Sequence, residues 1–166
     1  MSDYMHRSPD ETVALAPFWE ALAQHAKAGA CHHRGTCPIV VISPIIVDER
    51  HRVLMLRSSP GRPPILPEAG LVAGFETLEE ASSTLARALG VWKPLAQPGL
   101  DGPIQLHATT DKSQGDTRTK VSVRYLYRTA SSQCAFVVEA PQIWVPLTEV
   151  DTDLARRVSG YLVARA

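Results

Sequence analysis

The stretch Leu66–Val91, LPEAGLVAGFETLEEASSTLARALGV, decides how the rest of the chain is interpreted. A Leu-Pro step leads into a turn at Gly70, and a short apolar piece follows it. Thr77 and Glu80 have the spacing of a capping box, so a helix is expected to begin there. This helix is expected to run for about 13 residues and to stop at Gly90, because glycine is the usual residue just past a helix C-terminus.

The composition of the 166-residue chain is that of one globular domain. Lys plus Arg and Asp plus Glu both number 17, so the charge balance predicts no nucleic-acid partner. No apolar run is long enough for a membrane span. The N-terminal MSDYMHRSPDE lacks the apolar core of a signal peptide, which predicts a cytoplasmic location. The three cysteines are too few for a disulfide framework.

The pattern outside the opening stretch predicts alternating helices and strands. Residues 8–28 have helical apolar spacing, whereas 38–47 is a continuous β-branched run that predicts a buried strand. Pro44 interrupts this run, so we expect a bulge or a strand near the sheet edge. A hairpin returns through 52–58. Further strands are predicted at 104–110, 121–129, 134–140 and 143–147.

The order of these elements predicts an α/β protein, specifically an α/β/α sandwich with a mixed β-sheet between helices. Residues 121–129 alternate: Val121, Val123, Tyr125 and Tyr127 lie on one side and Ser122, Arg124, Leu126 and Arg128 on the other. Thr152 is expected to cap a last helix. Residues 1–30 are expected to form an N-terminal helical extension packed on a single domain, 31–166.

Residues 38–149 resemble the Nudix superfamily. The resemblance consists of Leu66-Pro67 at the start of the family's LPGG, the glycine-x5-glutamate spacing of Gly70 and Glu76, the LEEA helix opening at 78–81, and the Gly-apolar end at 90–91. Further along, GPIQLHATT, VRYLYR and IWVPLTEV resemble segments of a bacterial branch of the family. The resemblance implies the Nudix fold.

One part of the family pattern is missing. In the family, an Arg-Glu-x-x-Glu-Glu helix face binds the magnesium or manganese ions that bridge a diphosphate. The corresponding residues here, 83–89, are STLARAL and contain no carboxylate. The LPGG glycines are replaced by Glu68 and Ala69. This departure predicts that metal-dependent diphosphate hydrolysis has been lost.

Glu76, Glu79 and Glu80 keep the spacing of the family's metal-binding glutamates, about two turns closer to the N-terminus. On one helix face they would be able to hold Mg or Mn near Gly70. The simpler interpretation is that Thr77 and Glu80 cap the helix and that acids in its first turn complement the helix dipole. We prefer the capping interpretation.

A zinc site is a second metal hypothesis. Cys31, His33 and Cys37, with His32 between them, form a C-H-H-x3-C segment whose thiolates and imidazoles are zinc ligands. The spacing is not that of a standard zinc finger. We prefer ordinary thiols in a polar loop, so no cofactor is favoured. A nucleophilic cysteine beside a histidine is a further alternative.

His107 and Arg124 are expected on neighbouring strands. An arginine there is able to bind a carboxylate or a phosphate through two parallel hydrogen bonds. The simpler alternative is an exposed arginine and a hydrogen-bonded structural histidine. The resulting site hypothesis assigns acid–base roles to Glu76, Glu80 and His107, and ligand-binding roles to Arg124, Glu68, Gly70 and Arg57.

The sequence therefore supports three alternative hypotheses for the function. The leading hypothesis is a divergent Nudix-superfamily protein that binds or transforms a small organic, nucleotide-like or phosphorylated molecule, for example as a repurposed metal-independent biosynthetic enzyme. One alternative is an active hydrolase of nucleoside diphosphate derivatives that uses the shifted glutamates. The other is a non-catalytic binding module. The expected partner is a small molecule, and a homodimer is left open.

Overall fold

The computed structural model describes residues 9–16, 39–57, 59, 61–70, 77–111, 118–135 and 141–163. Three helices lie in these ranges: α1 (Pro9–Ala14), α2 (Leu78–Ala88) and α3 (Thr152–Val163). The strands are β1 (Ile39–Val47), β2 (Arg52–Leu56), β3 (Ala69–Gly70), β4 (Leu95–Ala96), β5 (Gln105–Asp111), β6 (Arg118–Arg128) and β7 (Gln142–Pro146). None of the helices within these ranges is long and apolar enough to cross a membrane.

The strands form one mixed sheet. Its order is β4-β6-β1-β2-β7; in addition, β3 pairs with β1 and β5 pairs with β6. Strands β1 and β6 are parallel over nine residues, from the pair Ile39 and Lys120 to the pair Val47 and Arg128. The other pairings are antiparallel. The mixed sheet confirms the predicted α/β class.

Helices α2 and α3 cover opposite faces of this sheet. Along β6, Val121, Val123, Tyr125 and Tyr127 belong to the apolar cluster that holds Ala81 and Ala86 of α2. Leu126 belongs to the other cluster, which holds Leu154 and Val158 of α3. Because alternate residues of a strand point to opposite faces, the predicted alternation along residues 121–129 is confirmed. The arrangement is the predicted sandwich.

Pro44 marks neither a bulge nor a sheet edge, although the sequence predicted one or the other: the pairing of β1 with β6 continues through it without interruption. Strand β1 lies inside the sheet, and Pro44 is fully buried opposite Tyr125 of β6. On its other side, β1 pairs with β3 at residues 41–42 and with β2 at Val47. Pro44 lies in the interval between these two pairings. Among the described residues, this interval of β1 pairs on one side only, with β6, so an interior strand tolerates a residue without a backbone N–H there.

The helix ends correct one assignment and confirm another. The backbone N–H of Glu80 donates to Thr77 Oγ1 at 3.0 Å, which confirms the predicted cap of α2. Gly90 has a φ of 81°, the left-handed conformation expected just past a helix. Thr152, by contrast, does not cap α3: it is the first helical residue. The cap is Asp151, whose carboxylate accepts from the N–H of Leu154 at 3.1 Å.

Helix α1 is the described part of the N-terminal extension. Leu15 is fully buried in the cluster beneath α2. Glu11 Oε2 accepts from the backbone N–H of Leu106 at 3.1 Å, so this helix occupies a hydrogen-bonding position on the outer edge of β5. The rest of the predicted first helix, residues 17–28, and most of the predicted strand at 134–140 lie outside the described residues.

Candidate functional site

A cavity of about 300 Å³ opens between the α3 side of the sheet and the beginning of α3. Its apolar lining includes Met55, Leu66, Val145 and Leu154, and its polar lining consists of His107, Arg124, Glu149 and Asp151. This combination of apolar walls and a few converging polar groups is typical of small-molecule sites, and the volume lies at the small end of their range.

The strand register brings two predicted site residues into this cavity. Strands β5 and β6 are antiparallel, with His107 opposite Ser122 and Gln105 opposite Arg124. Both His107 and Arg124 line the cavity. Ser122 and Lys120 lie two and four residues before Arg124, so they share its face of the sheet. The result is a row of polar side chains along the face that α3 covers.

Arg124 is the buried cation of the site. The residue is 8% exposed, so the sequence-based alternative of an exposed strand arginine is wrong. Its Nη1 donates to Gln105 Oε1 at 2.6 Å, whereas its Nε has no hydrogen-bond partner among the described residues. Burial lowers the pKa of Arg124, and Glu68 and Asp151 oppose that shift. Arginine remains protonated under such shifts, so a positive charge lines the cavity, and its guanidinium has a buried donor without a partner among the described residues.

His107 supplies a neutral hydrogen-bonding group. Burial, and secondly the positive charge of Arg124, lower the pKa of this imidazole below its ordinary value. The ordinary value is about 6.5, so the ring is uncharged at neutral pH. A neutral imidazole offers one donor and one acceptor. Such a ring is able to orient a ligand or to exchange a proton with it.

Glu68 lies beside the row of polar residues and is already engaged. Its carboxylate accepts from Ser122 Oγ at 2.5 Å and forms an ion pair with Lys120. These contacts fix the residues before β3 to the sheet. Lys120 does not line the cavity, and Arg124 is the arginine or lysine that lines it within the described part of the chain.

The remaining predicted residues do not join this cavity within the described ranges. Arg57 is exposed, and its backbone N–H donates to the carbonyl of Pro141. Gly70 pairs with Val41, and a Cβ added there would have open space, so nothing described requires a glycine. Glu79 and Glu80 begin α2, on the opposite face, where Tyr127 Oη donates to the Glu79 carbonyl at 3.2 Å. The structure therefore does not bring Glu80 together with His107.

The described donors do not fit the metal site that the Nudix fold implies. In α2 the residues after Glu80 are ASSTLARA, and Ala81, Ser82 and Ala86 are buried against the sheet. Over the described ranges, no three His, Cys, Asp or Glu side chains are grouped closely enough to hold a metal ion. Glu76 and the zinc candidates Cys31, His33 and Cys37 lie outside the described residues.

Several polar residues of the site were not found from the sequence. Asp151 and Glu149 line the cavity, and Gln105 holds Arg124. Gln105 is two residues before His107, so strand periodicity would have placed the two on one face. No local signal placed Asp151 at the cavity, because its position depends on how α3 packs.

Two other depressions are larger but chemically simpler. One, of about 440 Å³, lies beside the exposed Trp92 and the half-buried Cys134; the other, of about 540 Å³, lies beside Leu95 and Arg128. Burial raises the pKa of the Cys134 thiol, which makes the thiolate less available. Arg128 is exposed, in contrast to the buried cation at Arg124. The smaller cavity is therefore the better candidate site.

The chain is similar in fold to solved structures that include Nudix proteins. NrtR of Shewanella oneidensis has a TM-score of 0.55 at 14% identity; the alignment covers 76% of this chain and 64% of NrtR, so the chain spans less than two thirds of NrtR. A UDP-X diphosphatase has a TM-score of 0.54 at 10% identity over 89% of this chain and 72% of the enzyme. The NUDIX domain of Shewanella oneidensis NrtR complexed with ADP ribose has a TM-score of 0.51 at 18% identity over 85% of this chain and 98% of the domain.

No protein-family model matches the chain, and no curated protein matches it. The structural likeness nevertheless identifies the architecture: the chain has the Nudix fold, as the sequence resemblance implied. At identities of 10% to 18%, this likeness defines the fold and leaves the chemistry to the residues of the site.

Proposed function

We propose that this protein binds a small organic molecule in the cavity beneath α3 and that it does so without a bound metal ion. The ligand carries a carboxylate, phosphate or other acceptor oxygen that pairs with Arg124. The observation that supports the proposal is the buried Arg124 side chain: this residue lines the cavity, and its Nε has no hydrogen-bond partner among the described residues. An unsatisfied buried donor is costly, and an acceptor oxygen of the ligand removes this cost.

The rest of the cavity specifies the kind of molecule. Met55, Val145 and Leu154 offer apolar contacts to an organic body. Glu149 and Asp151 offer carboxylate acceptors to hydroxyl or amino groups. The ligand class is therefore a compact organic acid or phosphate that also carries hydrogen-bond donors.

His107 is the residue that we assign to any chemical step in this cavity. A neutral imidazole with a lowered pKa is able to accept a proton from a bound ligand and return it. A repurposed, metal-independent enzyme is consistent with this assignment. In this proposal α2 acts as a packing helix, because its inner surface consists of buried Ala81, Ser82 and Ala86.

ADP ribose is a suitable first probe, since the NUDIX domain of Shewanella oneidensis NrtR has been crystallised with it. The experiment incubates the purified protein with ADP ribose, nucleotide sugars, sugar phosphates and small hydroxy acids, with EDTA or with Mg²⁺. Thermal shift reports binding, and mass spectrometry reports any product. We expect at least one compound to stabilise the protein in EDTA and to lose this effect in Arg124→Gln.

The result that contradicts the proposal is binding or turnover that requires Mg²⁺ and is unaffected by Arg124→Gln. That result would support the hydrolase alternative with Glu76, Glu79 and Glu80. Arg128→Gln is a matched control, because Arg128 is an exposed arginine of the same strand. It is expected to behave as the unmodified protein does.

A further inference from the structure

Four side-chain contacts link the cavity to the N-terminal helix. Arg124 Nη1 donates to Gln105 Oε1 at 2.6 Å, and Gln105 Nε2 donates to Asp153 Oδ2 at 2.9 Å. Arg157 Nε donates to the same Asp153 oxygen at 2.9 Å, and Arg157 Nη2 forms an ion pair with Glu11 Oε1 at 2.9 Å. The series joins β6, β5, α3 and α1 in that order.

The members of this series are shielded from solvent to different degrees. Gln105 and Arg124 are buried, and the side chains of Arg157 and Glu11 are 19% and 10% exposed. Asp153 is the most open, with 41% of its side chain exposed. Hydrogen bonds with charged groups are stronger in a shielded environment, and each one orients the next.

Gln105 is the decisive link, because an amide has a donor end and an acceptor end. Asp153 is a carboxylate that accepts, so it holds the amide with its NH₂ towards α3. That orientation directs Oε1 towards Arg124. With the amide reversed, the NH₂ group would face the guanidinium, and two donors would oppose each other.

We infer that Gln105 and Asp153 are positioning residues for Arg124, and that Glu11 of the N-terminal helix stabilises their arrangement through Arg157. The N-terminal helix thereby contributes to the geometry of a cavity that it does not line among the described residues. The functional meaning of this inference rests on the proposed function, in which Arg124 binds the ligand.

The test measures Arg124 directly and needs no ligand. In protein labelled with ¹⁵N-arginine, the Nε–Hε resonance of Arg124 is identified by its loss in Arg124→Lys. Its exchange with water reports how firmly the guanidinium is held. Asp153→Ala and Asp153→Asn both remove the charge, but Asn retains an acceptor oxygen. We expect Asp153→Ala to speed this exchange by about tenfold and Asp153→Asn to restore most of the protection.

Two further variants locate the effect. Arg156→Gln is the matched control, because Arg156 binds the other Asp153 oxygen, Oδ1, at 2.5 Å, and it is expected to leave the exchange unchanged. Glu11→Gln removes the ion pair at the far end and is expected to speed the exchange by about threefold. If Asp153→Ala does not fold, Gln105→Met serves in its place, with the same expected acceleration.

Equal exchange in the unmodified protein and in Asp153→Ala, or in Gln105→Met where that variant replaces it, overturns the inference. Equal acceleration by Asp153→Ala and Asp153→Asn also overturns it, because the effect would then follow the charge and not the acceptor. A failure of the proposed function has a different signature: the arginine resonance responds as expected, while the probe compounds do not bind.

Discussion

Helices α2 and α3 cover opposite faces of one sheet, and the side chains beneath them differ in kind. Under α2, strand β6 contributes Val121, Val123, Tyr125 and Tyr127 to an apolar cluster. Under α3, the same strand contributes Ser122 and Arg124, and a cavity remains. The α2 face is packed as core, whereas the α3 face combines core with a buried cation, an imidazole and carboxylates.

The stretch that resembles a catalytic motif is not the part of the chain that lines the candidate site. The opening stretch retains its cap at Thr77 and its left-handed Gly90, which are features of a helix scaffold. Its buried positions are occupied by small side chains. The polar groups that are able to contact a ligand lie on β5, on β6 and before α3.

Placing a carboxylate in the packed α2 face is the change with the largest expected effect. Ala86 is fully buried, so Ala86→Glu places a charge among apolar side chains. The free energy of unfolding is expected to fall by about 4 kcal/mol or more, as measured by urea denaturation. Ala88→Glu is the control: Ala88 is exposed on the same helix, and its cost is expected to be below about 1 kcal/mol. Similar costs for the two variants would mean that α2 does not pack as described.

Removing either helix cap is expected to have an effect of intermediate size on the free energy of unfolding. Thr77→Ala and Asp151→Ala each remove one side-chain acceptor from a helix start, so each is expected to reduce the free energy of unfolding by about 1 kcal/mol. Only Asp151 lines the cavity, so only Asp151→Ala is expected to weaken binding of a compound found in the thermal-shift screen. Weaker binding in Thr77→Ala would contradict the assignment of function to the α3 face.

The smallest expected effect is a pH dependence from His107. Its pKa is lower in the folded protein than in the unfolded chain, so the unfolded chain takes up the proton first as the pH falls. The contribution of this group to stability is therefore complete above about pH 6.5 and declines as the pH falls below that value. His107→Gln is expected to remove this part of the decline in urea unfolding between pH 7.5 and 5. An identical decline in the variant would show that other groups cause it.

The sequence predicted the framework because local signals and the global fold agree. The capping box at Thr77, the glycine at Gly90 and the alternation along 121–129 are each specified by a few neighbouring residues. A bulge or a nearby sheet edge was expected at Pro44 because a proline removes a ladder donor, but local sequence does not reveal that the described strands β3 and β2 leave an interval beside it.

Only some residues of the candidate site were predicted from the sequence. His107 and Arg124 were found as chemically capable side chains on neighbouring strands. Gln105 was missed although strand periodicity places it on the same face as His107. Asp151, which is exposed, was missed because its position at the cavity depends on how α3 packs. Asp151 and Thr152 are both good caps by residue type, so residue type alone does not choose between them; in the structure Asp151 caps α3, and Leu154 is fully buried.

In the proposed function, the α3 face, and not the α2 helix, binds the ligand. Calorimetry with a compound from the screen, in EDTA and again in Mg²⁺, tests it by comparing Arg124→Gln with the double variant Glu79→Gln and Glu80→Gln. Arg124→Gln is expected to weaken binding by about tenfold or more, and the double variant is expected to bind as the unmodified protein does. Binding that needs Mg²⁺, survives Arg124→Gln and is lost in the double variant would contradict it.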